Sequence, residues 1–140
     1  MGDRCHMWVT VRNSQMEKFE QFLSRRDADI VEEGDFVTTL TFEQANYGCG
    51  DDLSQAAAAG CEFYGSHSAG SSYECADFHT SGRDALYVYT GMDGCGILVD
   101  GSSPAARLEH LQRCERMIVE RDELIARLSN PVYDLIKESA

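Results

Sequence analysis

A chain of 140 residues with a formal net charge of −12 fits one domain, and the charge disfavours direct binding to nucleic-acid phosphates or an anionic membrane surface. A hydrophobic share of 43%, with six Phe and six Tyr, argues for a folded core rather than disorder. No apolar run approaches the roughly 18–20 residues of a membrane span. The first residues lack the apolar core and cleavage pattern of a signal peptide, so the expectation is a cytoplasmic protein.

In chain order, residues 6–12 alternate Trp8, Thr10 and Arg12 against Met7, Val9 and Val11, which predicts a first strand. Ser14 and Glu17 have capping-box spacing, and Met16, Phe19, Phe22 and Leu23 follow at helical spacing, predicting an amphipathic helix over 15–25. Residues 27–34 read as an acidic connection with room for a short strand at Ile30-Val31. Residues 36–42, rich in β-branched and aromatic side chains, predict a second strand. After Asn46-Tyr47-Gly48-Cys49-Gly50, either Asp51 or Asp52 can cap a short alanine-rich helix over 53–59. Gly60 is placed to end it in a left-handed conformation.

Cys61–Tyr64 reads as a short strand and 66–72 as a polar loop. Strands are expected at 73–80, 85–90 and 95–99, separated by turns at 81–84 and 92–94. Ser103-Pro104 starts a helix to about Ser129, roughly 39 Å long at 1.5 Å per residue. Leu108, Leu111, Ile118, Ile125 and Leu128 form its apolar stripe, interrupted by Glu115 and Asp122. Packing across the chain's own sheet is expected, with a coiled-coil dimer as the alternative. The β-α-β-α-β-β-β-β-α order predicts a single α+β domain over 1–140. An antiparallel or mixed sheet would carry the long C-terminal helix, with the helices gathered on one face.

The charge is segregated. Residues 27–100 hold fourteen acids and one base, whereas the first 26 residues carry +2 and the last 40 carry −1. Ten Arg to two Lys, with abundant Ala, Gly and Asp, also fits a GC-rich or high-salt composition, in which the acids serve only solubility.

Six cysteines are spread widely without C-x-x-C spacing, which reads as free, mostly buried thiols rather than a disulfide framework. Cys61, His67, Cys75 and His79 are zinc-ligand types, but only the Cys75–His79 pair is tightly spaced, so no metal is assigned. Cys49, between glycines at a helix mouth, is a candidate nucleophile with His67 or His79 as base. Asp51 and Asp52 would raise its thiol pKa, and no catalytic residue is assigned. No cofactor signature is present: the glycine-rich stretches lack the context of a phosphate or dinucleotide loop.

The acidic region itself is the remaining candidate site. Rows of carboxylates on a rigid scaffold can reproduce duplex phosphate spacing, about one charge per 1.7 Å, and so engage a basic nucleic-acid-handling surface. The candidate partner-binding residues are Asp27, Asp29, Glu32, Glu33, Asp35, Glu43, Asp51, Asp52, Glu62, Glu74 and Asp77.

The stretch Glu43-Gln44-Ala45-Asn46-Tyr47-Gly48 through Leu53, followed by Gly60-Cys61-Glu62-Phe63-Tyr64 to Gly70 and Tyr73, resembles small acidic proteins carried by phages and other mobile elements. By size and charge the chain is similar to phage-encoded inhibitors, including the anti-CRISPR and anti-restriction classes. The resemblance implies no catalytic residues. It implies occlusion of a nucleic-acid site on a host protein, in the host cytoplasm; separately, the expected state is a monomer or homodimer. The alternatives are a small cysteine- or zinc-dependent enzyme around Cys49, His67, Cys75 and His79, or an acidic dimerisation module built on the long helix.

Overall fold

The structure, a computed structural model, describes residues 4–70, 75–80, 86–90 and 103–135. Strand β1 (Arg4–Arg12) lies inside an antiparallel sheet, flanked by β3 (Val37–Asn46) and β4 (Phe63–His67). β2 (Ile30–Glu33) adds to β3 at one edge, and β5 (Ala76–Thr80) and β6 (Leu86–Thr90) extend the other side. The spatial order is β2-β3-β1-β4-β5-β6. The expected α+β class and the packing of the long helix on the sheet both hold. The expected strand over 95–99, its flanking turns and the turn at 81–84 lie outside the described residues.

Alternation along each strand creates two different faces. On one, Met7, Val9, Val11, Leu40, Phe42, Phe63 and Phe78 form the main core. That core is covered by α1 (Met16–Phe19) through Met16 and Phe19, and by α2 (Gly50–Ala58) through Leu53, Ala56 and Ala57. Close approach of β1 and β4 depends on Gly65, where a Cβ would lie 2.1 Å from the Trp8 carbonyl oxygen and 2.6 Å from the Phe78 ring. Gly60, at φ 92°, ends the turn after α2 in the left-handed conformation its position predicts.

The other face carries α3 (Pro104–Leu128), capped by Ser103 Oγ, which accepts from the Ala106 amide at 3.0 Å. Leu124 and Leu128 pack with Tyr133, Val37 and Tyr64. The helices are therefore divided between both faces rather than gathered on one. The physical reason is that α1 and α2 already cover the apolar face, leaving α3 the face of mixed polarity.

Two local expectations fail. The helix predicted over 15–25 closes after Phe19; Phe22 and Leu23 still reach the core from the turn that follows. Ser14 does not cap it, because its hydroxyl donates to Asp134 Oδ1 at 2.5 Å. Neither Asp51 nor Asp52 caps α2. That helix begins on Cys49, itself left-handed at φ 57°, and both aspartates sit in its first turn, where they suit the helix dipole. Ser66 and His67 belong to β4 rather than to a loop.

Candidate partner-binding surface

The acidic run begins at a short 3-10 turn, Arg25–Asp27, whose Arg26 amide donates to Ser24 Oγ at 3.2 Å. Asp29 fixes the entry to β2: its amide donates to the Thr41 carbonyl at 2.8 Å and its Oδ2 accepts from the Glu43 amide at 2.7 Å. The β2–β3 turn is held from the end of β1. The Asn13 side-chain amide donates to the Gly34 carbonyl at 2.9 Å, and Thr38 Oγ1 donates to Asn13 Oδ1 at 2.6 Å. These contacts make an otherwise short hairpin a defined platform.

On it, Asp27, Asp29, Glu32, Glu33, Asp35 and Glu43 are exposed. Glu33 is ion-paired with Arg25 at 2.7 Å, and Arg25 also meets Glu20 at 3.1 Å. Beyond the far end of β3 come exposed Asp51 and half-buried Asp52. Because β3 has ten residues, its two ends are separated by roughly 30 Å. The exposed carboxylates are therefore strung along the hairpin rather than clustered at one point.

Two of the expected contact residues do not belong to this surface. Glu62 is buried; its Oε2 accepts from the Tyr133 hydroxyl at 2.9 Å, and its carboxylate pairs with Arg127 at 3.4 Å. Asp77 is buried beside Arg121, also at 3.4 Å. Both are used to seat α3, since buried carboxylates need cationic or hydrogen-bonding partners. Glu74 lies outside the described residues.

The α3 interface contains polar side chains that sequence reasoning did not single out for function. Arg12 is buried, donates to the Leu128 carbonyl at 2.9 Å, pairs with Asp134 at 3.3 Å, and lies over the rings of Phe36 and Tyr133. The hydrogen bond from Ser14, with Arg12 beside it, holds the Asp134 carboxyl below its ordinary range. Burial, followed by the hydrogen bond to Glu62, raises the Tyr133 phenol. A cleft of about 390 Å³ opens between α3 and the sheet, lined by Trp8, Tyr64, Ser66, Asp77, Arg121 and Ile125. The signal available in sequence was the polar set on one face of strands β1 and β5 (Arg12, Asp77, His79), which needed partners from a later element.

The cysteine–histidine constellation is split by the sheet. Cys61 belongs to the core beneath α1 and α2, whereas His79 lies on the α3 face, 3.8 Å from Glu120. Burial, then Arg121, pushes His79 down to about 4. The His67 ring packs against Gly48, next to Cys49. Burial, then Asp52 and Cys5, pushes the Cys49 thiol up to about 11, so it is overwhelmingly protonated near neutral pH and a poor nucleophile. Among the described residues, no three His, Cys, Asp or Glu side chains gather as a metal-ligand set, and no helix is long and apolar enough to cross a membrane.

No protein-family model, curated protein or solved structure matches the chain.

Proposed function

We propose that the chain is a non-enzymatic acidic binding protein, of the phage-type anti-CRISPR or anti-restriction class, that occludes a basic nucleic-acid-binding surface of a host protein. The observation supporting this reading is the row of exposed carboxylates along the hairpin, Asp35, Glu32, Asp29 and Glu43, with Asp51 beyond the end of β3. Alongside β3 the row runs from Val37 to Glu43, roughly 20 Å at about 3.3 Å per residue, which matches an extended phosphate-binding track better than a single ion site. In this reading the protein acts in the host cytoplasm, and its target's own Arg and Lys supply the binding partners. Association is steered by long-range charge and weakens with salt.

The test is displacement of labelled duplex DNA from a set of purified CRISPR effector complexes and restriction enzymes, at low and at physiological salt. Displacement that fades with salt and is lost in the Asp27→Lys, Glu32→Lys, Asp35→Lys triple variant is expected. Failure to displace DNA from any of them at low salt, or displacement unaffected by charge reversal, removes the mimicry reading.

A second reading, a dimerisation module, is favoured by one observation. Leu108, Leu111 and Val119 are 57%, 47% and 49% exposed along the outward side of α3. Sedimentation at the monomer mass over a wide concentration range would eliminate it.

A further inference from the structure

Among the described residues, the acidic hairpin ends the sheet in an open edge. β2 pairs with β3 on one side and, among the described residues, with no strand on the other. The Gly34 amide donates to the Val37 carbonyl at 2.8 Å. By the alternation of an antiparallel ladder, Ile30 and Glu32 then turn their backbone groups toward β3, while Val31 and Glu33 turn theirs outward. Natural proteins usually cover or distort such an edge, because its unpaired N–H and C=O groups template the addition of another strand. Here the edge is regular, with all four residues exposed, Ile30 at 45% and Val31 at 38%.

Side-chain order along this edge selects the occupant. In the pairing with β3, Ile30 and Glu32 lie opposite Thr41 and Thr39 on the α3 side of the sheet, while Val31 and Glu33 lie opposite Leu40 and Thr38 on the other. Each side therefore offers one β-branched apolar residue and one acid. A second copy pairing antiparallel through the same strand would set Glu32 against its counterpart and Asp29 against Asp35, or, two residues along, Glu33 against Asp29, in each case a destabilising juxtaposition of like charges. A strand with bases opposite the glutamates and β-branched residues opposite Ile30 and Val31 meets apolar contact on both faces and opposite charge at Glu32 and at Glu33, the latter shared with Arg25.

We propose that β2 is a docking edge for an extended basic segment of the partner protein, which adds to the sheet as a further strand. In antiparallel pairing its pattern is two consecutive Lys or Arg followed by two β-branched residues. This rests on the function proposed above and specifies how the partner is held: backbone hydrogen bonds supply affinity, and the alternating side chains supply selectivity. Asp27, Asp29 and Asp35 flank the edge and steer the segment toward it.

The probe is a short blocked peptide, Thr-Lys-Arg-Val-Ile-Thr, offered to the full chain at low salt and followed by fluorescence anisotropy and amide hydrogen exchange. Saturable binding is expected, with slowed exchange at the Val31 and Glu33 amides. N-methylation of alternate peptide amides, which keeps every charge but removes backbone donors, should weaken binding at least about tenfold. Glu32→Lys should weaken it as well. Equal binding by the N-methylated peptide, or unchanged exchange at Val31 and Glu33, overturns strand addition; so does failure of the parent peptide to bind. Salt-sensitive DNA displacement surviving any of these results leaves the electrostatic reading standing without the edge. Loss of displacement in the experiment above, with peptide binding intact, removes mimicry and keeps the edge.

Discussion

Arg12 ends β1 facing the α3 side of the sheet, and its guanidinium joins the Leu128 carbonyl, the Asp134 carboxylate and two aromatic rings. A flat, permanently charged group with several donors can make all of these contacts at once, which an ammonium cannot. His79 illustrates the opposite case, a titratable group buried with a cation nearby. Burial and Arg121 hold it at about 4 in the fold, against 6.5 in the unfolded chain, despite Glu120 at 3.8 Å. Above pH 6.5 both states are neutral and the difference has no effect. As pH falls from 6.5 toward 4, the unfolded chain takes up a proton that the folded chain refuses, so stability is lost across that window. The loss attributable to this residue approaches about 3 kcal/mol. Urea titrations at pH 7.5 and 4.5 should show a shallower pH dependence for His79→Gln than for the parent; parallel curves would exclude His79 as the titrating group.

At the scale of elements, α3 has two unlike faces. Leu124 and Leu128 are buried against Tyr133, Val37 and Tyr64, while Leu108 and Leu111 face outward. Truncating Leu124 or Leu128 to Ala should cost about 2–5 kcal/mol through lost burial and a cavity. The same change at Leu108 or Leu111 should stay within about 0.5 kcal/mol. Denaturant midpoints of the four variants check this directly, and a large effect at Leu111 would mean that the outward side is covered in solution. The stripe read in the sequence from Leu108 to Leu128 is not one buried face: at about 100° per residue Leu108 lies on the side of the helix opposite Leu124 and Leu128, and the side turned to the sheet carries Ala106, His110, Cys114, Met117 and Arg121 instead. Periodicity reports which side chains share a helix face, whereas packing decides which face meets the sheet, and here polar partners for Glu62 and Asp77 help set it.

For the whole molecule, the net charge of −12 should destabilise the compact state by self-repulsion. Raising ionic strength from about 0.01 M to about 0.15 M shortens the screening length from roughly 30 Å to roughly 8 Å. Such screening should stabilise the fold by about 1 kcal/mol, a few degrees in Tm. The same change should weaken partner binding, so stability and affinity move in opposite directions. A Tm that falls with salt would instead mean that ion pairs such as Arg127–Glu62 and Arg121–Asp77 outweigh the repulsion.

Local chemistry determined much of this protein without help from the tertiary structure. Alternation marked β1 and β3, Ser103-Pro104 marked the start of α3, Gly60 closed the turn after α2, and the charge count located the acidic region. Those signals act between neighbours a few residues apart, so they are written in sequence. Only the tertiary structure decided which acids face solvent. Glu62 meets Arg127 65 residues away, and Asp77 meets Arg121 44 residues away. Ser14 abandons its local cap for Asp134, 120 residues along the chain. A buried charge must find its counter-charge wherever packing brings one, and a hydroxyl beside such a group is drawn into the same pairing. That long-range requirement withdraws Glu62 and Asp77 from the surface and leaves the acids of the β2–β3 hairpin exposed along an open edge.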